Sequence, residues 1–236
     1  MSRCRLISVI SLIVLATGFA AADGLFATMD ATVSATRLTG LAAGQHLRYG
    51  WQNGTTESFV FINHDWYDTT VPPLRYQING LVDGIGYRQT MLRGYLVFTA
   101  SLGEIVAGTD EKKLDPRAAV SVARQWSRGR GLNDYSAELL WAPRVHDLFF
   151  TAGMRPGVVL HRDASGRLWW YGIGQVWASG VDRLGAENRV ESGVGISYRY
   201  HDYLTATLEV TAGYAYRGTI DDRAYLNPSF AISGVL

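Results

Sequence analysis

Hydrophobic and polar residues alternate with a period of two along most of the chain beyond its N-terminal segment. The clearest stretch covers residues 189–200, and its apolar face consists of Val190, Val194, Ile196, Tyr198 and Tyr200. The stretch 203–217 repeats the alternation after a tight connection at 201–203. Successive side chains of a strand point to opposite faces, so this period predicts β-strands. After the N-terminal segment, no stretch of ten or more residues carries a convincing stripe of apolar residues at helical spacing.

The same alternation predicts about twelve strands, with about ten as the alternative count. They lie at residues 25–35, 46–52, 57–66, 75–89, 92–106, 117–126, 135–142, 148–161, 168–180, 189–200, 203–217 and 225–236. We therefore expect an all-β chain folded as an antiparallel, up-and-down transmembrane β-barrel. Such a barrel has an even number of strands when both of its ends lie on the periplasmic side.

The connections between these strands alternate in length, as outer-membrane barrels require of their short periplasmic turns and longer outward loops. The short connections are residues 53–56, 89–91, 163–166 and 201–203, and the longer ones are 36–45, 108–116 and 181–188. One connection departs from the pattern, because residues 127–134 form a long link where a tight turn is due.

The polar face of the strands separates a membrane barrel from a soluble one. Charged side chains stand in mid-strand, where a soluble barrel would place its apolar core. We predict that the lumen is lined by Asp30, Arg93, Glu138, Glu191, Arg199, Glu209 and Arg217. The apolar face would then contact outer-membrane lipid and lipopolysaccharide. A soluble sandwich or a soluble periplasmic binding barrel has the same period and stays an alternative.

Tryptophan and tyrosine residues cluster toward the ends of the predicted strands. In outer-membrane barrels, such amphipathic rings lie at the two interfaces between lipid and water. The clustered residues are Trp51, Trp66, Tyr67, Trp126, Trp141, Trp169, Trp170, Tyr171, Tyr198, Tyr200, Tyr203 and Tyr225. Their distribution favours the transmembrane barrel.

The N-terminus has the features of a cleavable secretory signal peptide. A basic start with Arg3 and Arg5 precedes an apolar run, and Ala20, Ala21 and Ala22 form a small-residue cleavage site. We predict a signal peptide over residues 1–22 and a single barrel domain over 23–236. An uncleaved N-terminal anchor is the alternative.

Removal of the signal peptide changes both the thiol content and the charge. The chain's one cysteine, Cys4, leaves with it, so the mature protein has no disulfide and no cysteine-ligated zinc. The net charge of +1 includes Arg3 and Arg5, so their loss leaves −1. This near-neutral charge argues against a nucleic-acid partner, which needs a clustered basic surface.

Four histidines have an aspartate next to them or two residues on, at positions 64–65, 146–147, 161–163 and 201–202. We interpret these pairs as polar residues of strand ends and turns, where aspartate satisfies backbone donors. Metal ligation and a catalytic dyad are the alternatives. The acidic loop at 109–116 has neither the spacing nor the glycine of an EF-hand loop.

The glycine pairs at 172/174 and 193/195 stand in mid-strand, where a strand curves or a bulky neighbour needs room. We expect no metal and no cofactor.

An enzyme of the barrel rim is a competing hypothesis, since some outer-membrane barrels modify lipid A or phospholipid. Ser197, His201 and Asp202 have the residue types of a hydrolytic site. However, their hairpin is expected on the periplasmic side, and adjacency in sequence does not guarantee that a base lies within reach of a nucleophile. We therefore predict a protein that is not an enzyme.

The predicted number of strands lies between that of barrels with a filled interior and that of barrels with an open channel. Barrels of about eight strands fill their interior, whereas those of about sixteen leave an aqueous channel. Several inward positions carry complementary charge, including Glu191, Arg199 and Glu209. We expect a closed or weakly conducting barrel.

At the level of class, the chain resembles small proteobacterial outer-membrane barrels. Its last strand ends with Phe230, Ile232 and Leu236 on one face, similar to the C-terminal strand recognised by the outer-membrane assembly machinery, although that pattern prefers a terminal phenylalanine. More narrowly, residues 193–200 and 207–210 are similar to late strands of two groups. These are the barrels associated with cellulose and exopolysaccharide synthesis, and the C-terminal barrel of a phage-adsorption protein. The resemblance implies a role in exopolysaccharide secretion, with a polysaccharide secretion complex as partner; passive transport is the other prediction.

Overall fold

The computed structural model describes residues 24–36, 40–67, 80–108, 114–180, 188–201, 203–216 and 224–235. They form a closed barrel of twelve antiparallel strands, which confirms the predicted fold class and strand count. The strands are β1 (Leu25–Thr36), β2 (Gly40–Asn53), β3 (Thr56–Tyr67), β4 (Gly80–Met91), β5 (Leu96–Gly108), β6 (Leu114–Arg128), β7 (Gly131–Ala142), β8 (Asp147–Arg162), β9 (Gly166–Ser179), β10 (Arg189–Tyr200), β11 (Leu204–Ala215) and β12 (Ala224–Val235). In this part of the chain, no helix is long and apolar enough to cross a membrane.

Each strand pairs with its neighbours in sequence, and β1 pairs with β12 to close the barrel. The closing register runs from Thr28 opposite Val235 to Ser34 opposite Ser229. The five turns at one end, which we call the periplasmic end, have two to four residues, and most connections at the other, extracellular end are longer. The predicted long connection at 36–45 was wrong, because β2 begins at Gly40 and only three residues join it to β1. Every strand therefore has a paired neighbour on both sides, as hydrocarbon surroundings require.

The alternation of side chains places the apolar face of the strands on the outside. Val60, Ile85 and Leu208 are each more than half exposed there, whereas the polar residues Glu191 and Thr211 are buried inside. A soluble protein rarely exposes so many large apolar side chains, because burying them stabilises the folded state. This inverted arrangement is that of a membrane-spanning barrel, and it argues against a soluble sandwich or a soluble binding barrel.

The sequence predicted a long connection at 127–134, but the structure has a tight turn between β6 and β7. β6 extends to Arg128 and β7 begins at Gly131, so only two residues join them. Gly129 adopts a φ of 61°, which glycine reaches without steric cost. The predicted ends of both strands were therefore several residues too short, and the alternation of short and long connections is regular here.

The turn between β4 and β5 lies later in the chain than predicted. A short 3-10 turn covers Leu92–Gly94, so β4 continues to Met91 and β5 begins at Leu96. Arg93 is part of this turn at the periplasmic end, and its predicted mid-strand position was wrong. The turn is positioned by Gly94, whose φ of 91° favours glycine.

Most of the clustered aromatic residues lie on the outer face near the two barrel ends. Trp51, Trp126 and Tyr203 are exposed at the periplasmic end, and Trp66 and Trp141 are exposed at the extracellular end. Three others were assigned wrongly to the interfaces, because they are buried inside the barrel: Trp169, Tyr171 and Tyr225. They occupy inward positions of their strands, which clustering near strand ends does not reveal.

Inward aromatic rings lie against the barrel wall over glycines of neighbouring strands. A Cβ added to Gly195 would stand 2.6 Å from the Tyr171 ring, and one added to Gly213 would stand 2.2 Å from the Tyr225 ring. Phe59 covers Gly86 in the same way, with its ring 2.3 Å from the added atom. The glycine at 195 was predicted to make room for a bulky neighbour, and this contact confirms it. The rings therefore lie flat along the wall.

Substitution of Gly195 should test this packing. Gly195→Ala would drive a methyl group into the Tyr171 ring, and we expect it to lower the free energy of unfolding by about 1–3 kcal/mol. Gly172→Ala is the matched control, because the nearest atom to its added Cβ is 3.9 Å away. The control should change stability by less than about 0.5 kcal/mol. Urea unfolding in detergent measures both, and equal effects would contradict the packing role.

Candidate functional site

The polar inner wall is the candidate functional surface. Strand register places five of the seven predicted lumen residues on this wall: Asp30, Glu138, Glu191, Arg199 and Glu209. Arg93 lies in the β4–β5 turn, and Arg217 lies outside the described residues. The five wall residues do not form one cluster. They belong to separate groups, and whether they line a conducting lumen stays a prediction.

The first group joins β1, β2 and β3. His46 bonds Asp30 through Nδ1 and Asp65 through Nε2, and both distances are 2.9 Å. An ionised carboxylate only accepts hydrogen bonds, so two ionised partners require both ring nitrogens to donate. The arrangement is therefore that of an imidazolium between two carboxylates, which holds three neighbouring strands together on the inside.

The second group joins strands that are not neighbours. Arg155 of β8 donates from Nε to Glu209 of β11 at 2.9 Å, and the Tyr171 hydroxyl of β9 donates to the same oxygen at 2.8 Å. Two strands separate β8 from β11 in the barrel. The contact between Arg155 and Glu209 therefore bridges β9 and β10 on the inside of the barrel.

The third group surrounds Glu191 of β10, whose side chain is almost fully buried. Its carboxylate accepts hydrogen bonds from the hydroxyls of Thr211 at 2.6 Å and Tyr225 at 2.7 Å. The Asn227 amide donates at 3.3 Å, and the Arg189 guanidinium Nε lies 3.4 Å away. A buried carboxylate is costly unless its oxygens are bonded and its charge is balanced, and this group supplies both conditions.

Ion pairs also stand near the two ends of the barrel. Arg88 contacts both carboxylate oxygens of Glu57 at 3.1 and 3.2 Å near the periplasmic end. At the extracellular end, Asp115 accepts from Arg117 at 2.6 Å and from Arg144 at 3.1 Å. The Asp115 and Arg144 side chains are each only 5% exposed. This buried ion pair therefore joins the start of β6 to the extracellular connection 143–146.

Several interior charged side chains keep part of their surface accessible within the barrel. The exposed fraction is 40% for Asp30, 37% for His46 and 36% for Arg88, and it is 30% for Arg117 and Arg155. These residues face the inside, so the space next to them is large enough for water. Among the described residues, each of these ion pairs follows the wall and none joins opposite sides of the barrel.

Sequence analysis identified the acids of these groups more readily than their partners. His46, Arg155 and Arg189 were not singled out, although each stands on the inward face of its strand. The period-two pattern was the available signal, since Arg155 alternates with apolar residues in β8. Without the register between strands, this signal does not say which acid each of them meets.

The proposed rim-enzyme residues do not assemble into a catalytic group. The Ser197 hydroxyl is buried and bonds the Thr207 hydroxyl at 3.1 Å. The His201 ring instead stacks on Tyr203, with the ring centroids 5.5 Å apart. Asp202 lies outside the described residues. The base and the nucleophile thus have different partners, which does not favour a hydrolytic site.

The neighbouring His and Asp residues separate onto different faces or take part in turns. Asp65 points inward to His46, whereas His64, the next residue back, belongs to the outer face of β3. His161 bonds Asp163 at 3.0 Å in the β8–β9 turn. Within the described ranges, no group of three or more acidic, histidine or cysteine side chains has the geometry to hold a metal ion.

Comparison with solved structures finds several outer-membrane proteins to which the chain has limited similarity. The chain is similar to the beta domain of the Bordetella autotransporter BrkA, with 14% identity, a TM-score of 0.46 and coverage of 89% of this chain and 97% of that one. It is similar to the NanC porin, with 10% identity and a TM-score of 0.47, and the match covers 87% of this chain and 98% of the porin chain. It is also similar to the COG4313 outer-membrane channel from Pseudomonas putida F1, with 7% identity and a TM-score of 0.46, and the match covers 92% of this chain and 97% of the channel chain. No protein-family model and no curated protein matches the chain. Because this similarity is limited, both the fold and the function are argued from the chain's own strands and residues.

Removal of Glu209 should destabilise the barrel through Arg155. Glu209→Leu would leave the guanidinium without its carboxylate, and a cost of about 2 kcal/mol is expected because the arginine is partly accessible to water. The double variant Arg155→Leu/Glu209→Leu should recover part of this loss. A double-mutant cycle of urea unfolding measures the coupling. Additive effects of the two substitutions would contradict the ion pair.

Asp163 should give the periplasmic β8–β9 turn a dependence on pH. The Ser165 hydroxyl at 2.6 Å, the His161 ring, and the backbone N–H groups of Ser165 and Gly166 hold the pKa of its carboxyl well below the ordinary value. A lowered pKa in the folded state means that the stabilisation is present above the unfolded value of about 3.9 and is lost as the pH falls below it.

We therefore expect Asp163→Asn to be less stable than wild type at neutral pH, with a difference that shrinks below about pH 4. Urea unfolding midpoints measured across this range check the prediction. Ser165→Ala, which removes the first of these bonds, should show a smaller dependence on pH than wild type. A difference that grows on acidification would rule out the assigned role of Asp163.

Proposed function

We propose that this protein is a narrow, water-filled channel for the passive transport of small hydrophilic solutes across the outer membrane. One observation carries the proposal. The interior ion pairs follow the wall and retain a third or more of their surface in contact with the lumen at Asp30, His46 and Arg88. A barrel that was filled for stability alone would bury these charges or replace them with apolar side chains.

The distribution of side-chain size supports an open path along one side. The inward residues of β5 and β6 are small at mid-strand, namely Thr99, Ser101, Ala119 and Ser121. The aromatic residues of the opposite part of the wall lie over glycines of neighbouring strands instead of pointing to the centre. Twelve strands enclose less space than the sixteen or so strands of large porins, so conductance should be low.

The other candidate functions have less support. The separated positions of Ser197 and His201 weigh against an enzyme of the rim. Among the described residues, no specific feature favours exopolysaccharide secretion over the passage of small solutes. That role, together with the secretion complex as a partner, stays a prediction from the resemblance of residues 193–200 and 207–210.

Conductance of the purified protein in planar bilayers tests the proposal. Ser121 faces the lumen and Val120, the preceding residue, faces lipid. Ser121→Trp should therefore lower the single-channel conductance at least about twofold by narrowing the lumen. Val120→Trp is the matched control, which adds the same side chain on the outer face and should leave the conductance unchanged.

Both variants must first show a change in gel mobility on boiling in detergent, which reports a folded barrel. No conductance from folded wild-type protein would contradict the channel. Equal conductance of Ser121→Trp and Val120→Trp would show that current does not pass along this part of the interior, and it would also count against the proposal.

A further inference from the structure

The outer face of the barrel carries an arginine near the periplasmic end of β6. Val122, Arg124, Trp126 and Arg128 alternate along this strand and share one face, and Val122 and Trp126 are exposed on the outside of the barrel. Arg124 is exposed as well. It lies about 13 Å along the strand from Arg128, the last residue of β6. Arg124 therefore belongs to the lipid-facing surface and not to the turn.

The charge of Arg124 is not balanced by an acid on this surface. Its guanidinium lies over the Tyr95 ring, 5.3 Å from the ring centre. Within the part of the chain that the structure describes, the Arg124 and Arg128 side chains make no hydrogen bond and no ion pair. A charged side chain on the lipid face destabilises a barrel, and the cost falls toward the interface, where an anionic group can balance the charge. The two arginines thus form a basic patch on the outer wall.

Aromatic rings next to the basic patch mark the level of the membrane interface. Trp126 and Tyr135 are both exposed on the outer face, and their rings stack with centroids 6.4 Å apart and 17° between their planes. Tyr135 of β7 lies directly opposite Arg124. Such rings of outer-membrane barrels lie between lipid and water, and a long arginine side chain extends toward the same level. The Arg124 guanidinium is therefore within reach of the lipid phosphates.

A groove in the lipid-facing wall begins beside Arg124. Its volume is about 580 Å³, and it is lined by Arg124 and Tyr135 together with mostly apolar residues of β6 to β9. Ala137 lies opposite Ala152, and these small side chains lie between the larger Val122 and Met154 in the lining. Val122 and Ala137 are farther from the periplasmic turn than Arg124 and Tyr135 are. The groove therefore extends from the arginine toward the middle of the membrane.

We propose that this groove binds one anionic phospholipid of the inner leaflet, with its phosphate at Arg124 and Arg128 and an acyl chain in the groove. Planar guanidinium groups match the geometry of phosphate oxygens and bind them through paired hydrogen bonds. Cation, aromatic rings and apolar groove follow one another along the wall in the order of a lipid's phosphate, interface and acyl chain. The proposal goes beyond the channel function and does not require the lumen to conduct.

The charge of the patch favours an anionic lipid over the other possible occupants. A two-fold symmetric contact between two copies of this chain would place the same surface of both together, so Arg124 and Arg128 of each copy would face like charges. A zwitterionic lipid brings its own cation near the arginines. An anionic headgroup balances the patch without adding a positive charge.

Native mass spectrometry of the detergent-solubilised protein tests the proposal, with phosphatidylglycerol and phosphatidylcholine of identical acyl chains as the two probes. Wild type should bind phosphatidylglycerol at least about tenfold more tightly, because two arginines contribute. Arg124→Gln should weaken phosphatidylglycerol binding about fivefold and change phosphatidylcholine binding little. Arg48→Gln is the matched control, because Arg48 also lies over an aromatic ring, at 5.5 Å from the centre of Phe59, but on the inner face.

A second pair of variants tests the groove apart from the charge. Ala137→Leu should weaken binding of both lipids, because the larger side chain fills the groove. Ala212→Leu adds the same side chain at an exposed position of β11 that does not line the groove, and it should change neither affinity. Each variant must first show the change in gel mobility on boiling that reports a folded barrel.

Four outcomes would overturn the proposal. Folded wild-type protein could bind the two lipids equally, or Arg48→Gln could weaken phosphatidylglycerol binding as much as Arg124→Gln does. Equal lipid binding by Ala137→Leu and Ala212→Leu would show that the groove does not hold the lipid. A wild-type dimer that Ala137→Leu converts to a monomer would place a second copy of the chain in the groove.

Discussion

Closure of the sheet is the constraint on which the rest of this structure depends. A backbone N–H or carbonyl in hydrocarbon has no water to bond, so an open strand edge would be costly. Pairing of β1 with β12, from Thr28 opposite Val235 to Ser34 opposite Ser229, removes that edge. Closure also divides the side chains into an outer set that meets lipid and an inner set that meets the lumen.

The inner set then has to be accommodated on a concave wall. Large rings are placed where a neighbouring strand carries glycine, as in Tyr171 over Gly195 and Tyr225 over Gly213. The ion pair of Arg155 and Glu209 also follows the wall, because it joins β8 to β11 across the two strands between them. Rings and charge pairs of the inner face thus both lie along the wall.

The two ends of the barrel differ in the chemistry of their charges. At the extracellular end, Asp115 lies between Arg117 and Arg144 and pairs directly with both. At the periplasmic end, Arg162, Arg167 and Arg199 lie in one row across three neighbouring strands. The register between strands therefore sets which charges are neighbours at each end.

Much of the fold was predictable from sequence, because alternation is a local property of each strand. The twelve strands and their two faces follow from it, whereas the structure decided that the polar face points inward. Most errors concern strand ends. The turn at Leu92–Gly94 displaced Arg93 from its predicted position, because the positive φ angles of Leu92 and Gly94 in this turn are not visible in the alternation. Trp169 and Tyr171 were misplaced because clustering near strand ends does not say which face a ring occupies.

The sequence by itself determined an all-β chain of about twelve strands, because a period of two is a local property; it left a soluble barrel or sandwich as an alternative, and the outward apolar face in the structure argues against that alternative. Only the tertiary structure decided which charges meet. Arg155 and Glu209 are 54 positions apart, and His46 lies 16 and 19 positions from its two acids. Such pairs depend on strand register and on the curvature of the closed barrel, and these are set by the hydrogen bonding of all twelve strands together. No single segment of the chain contains that information.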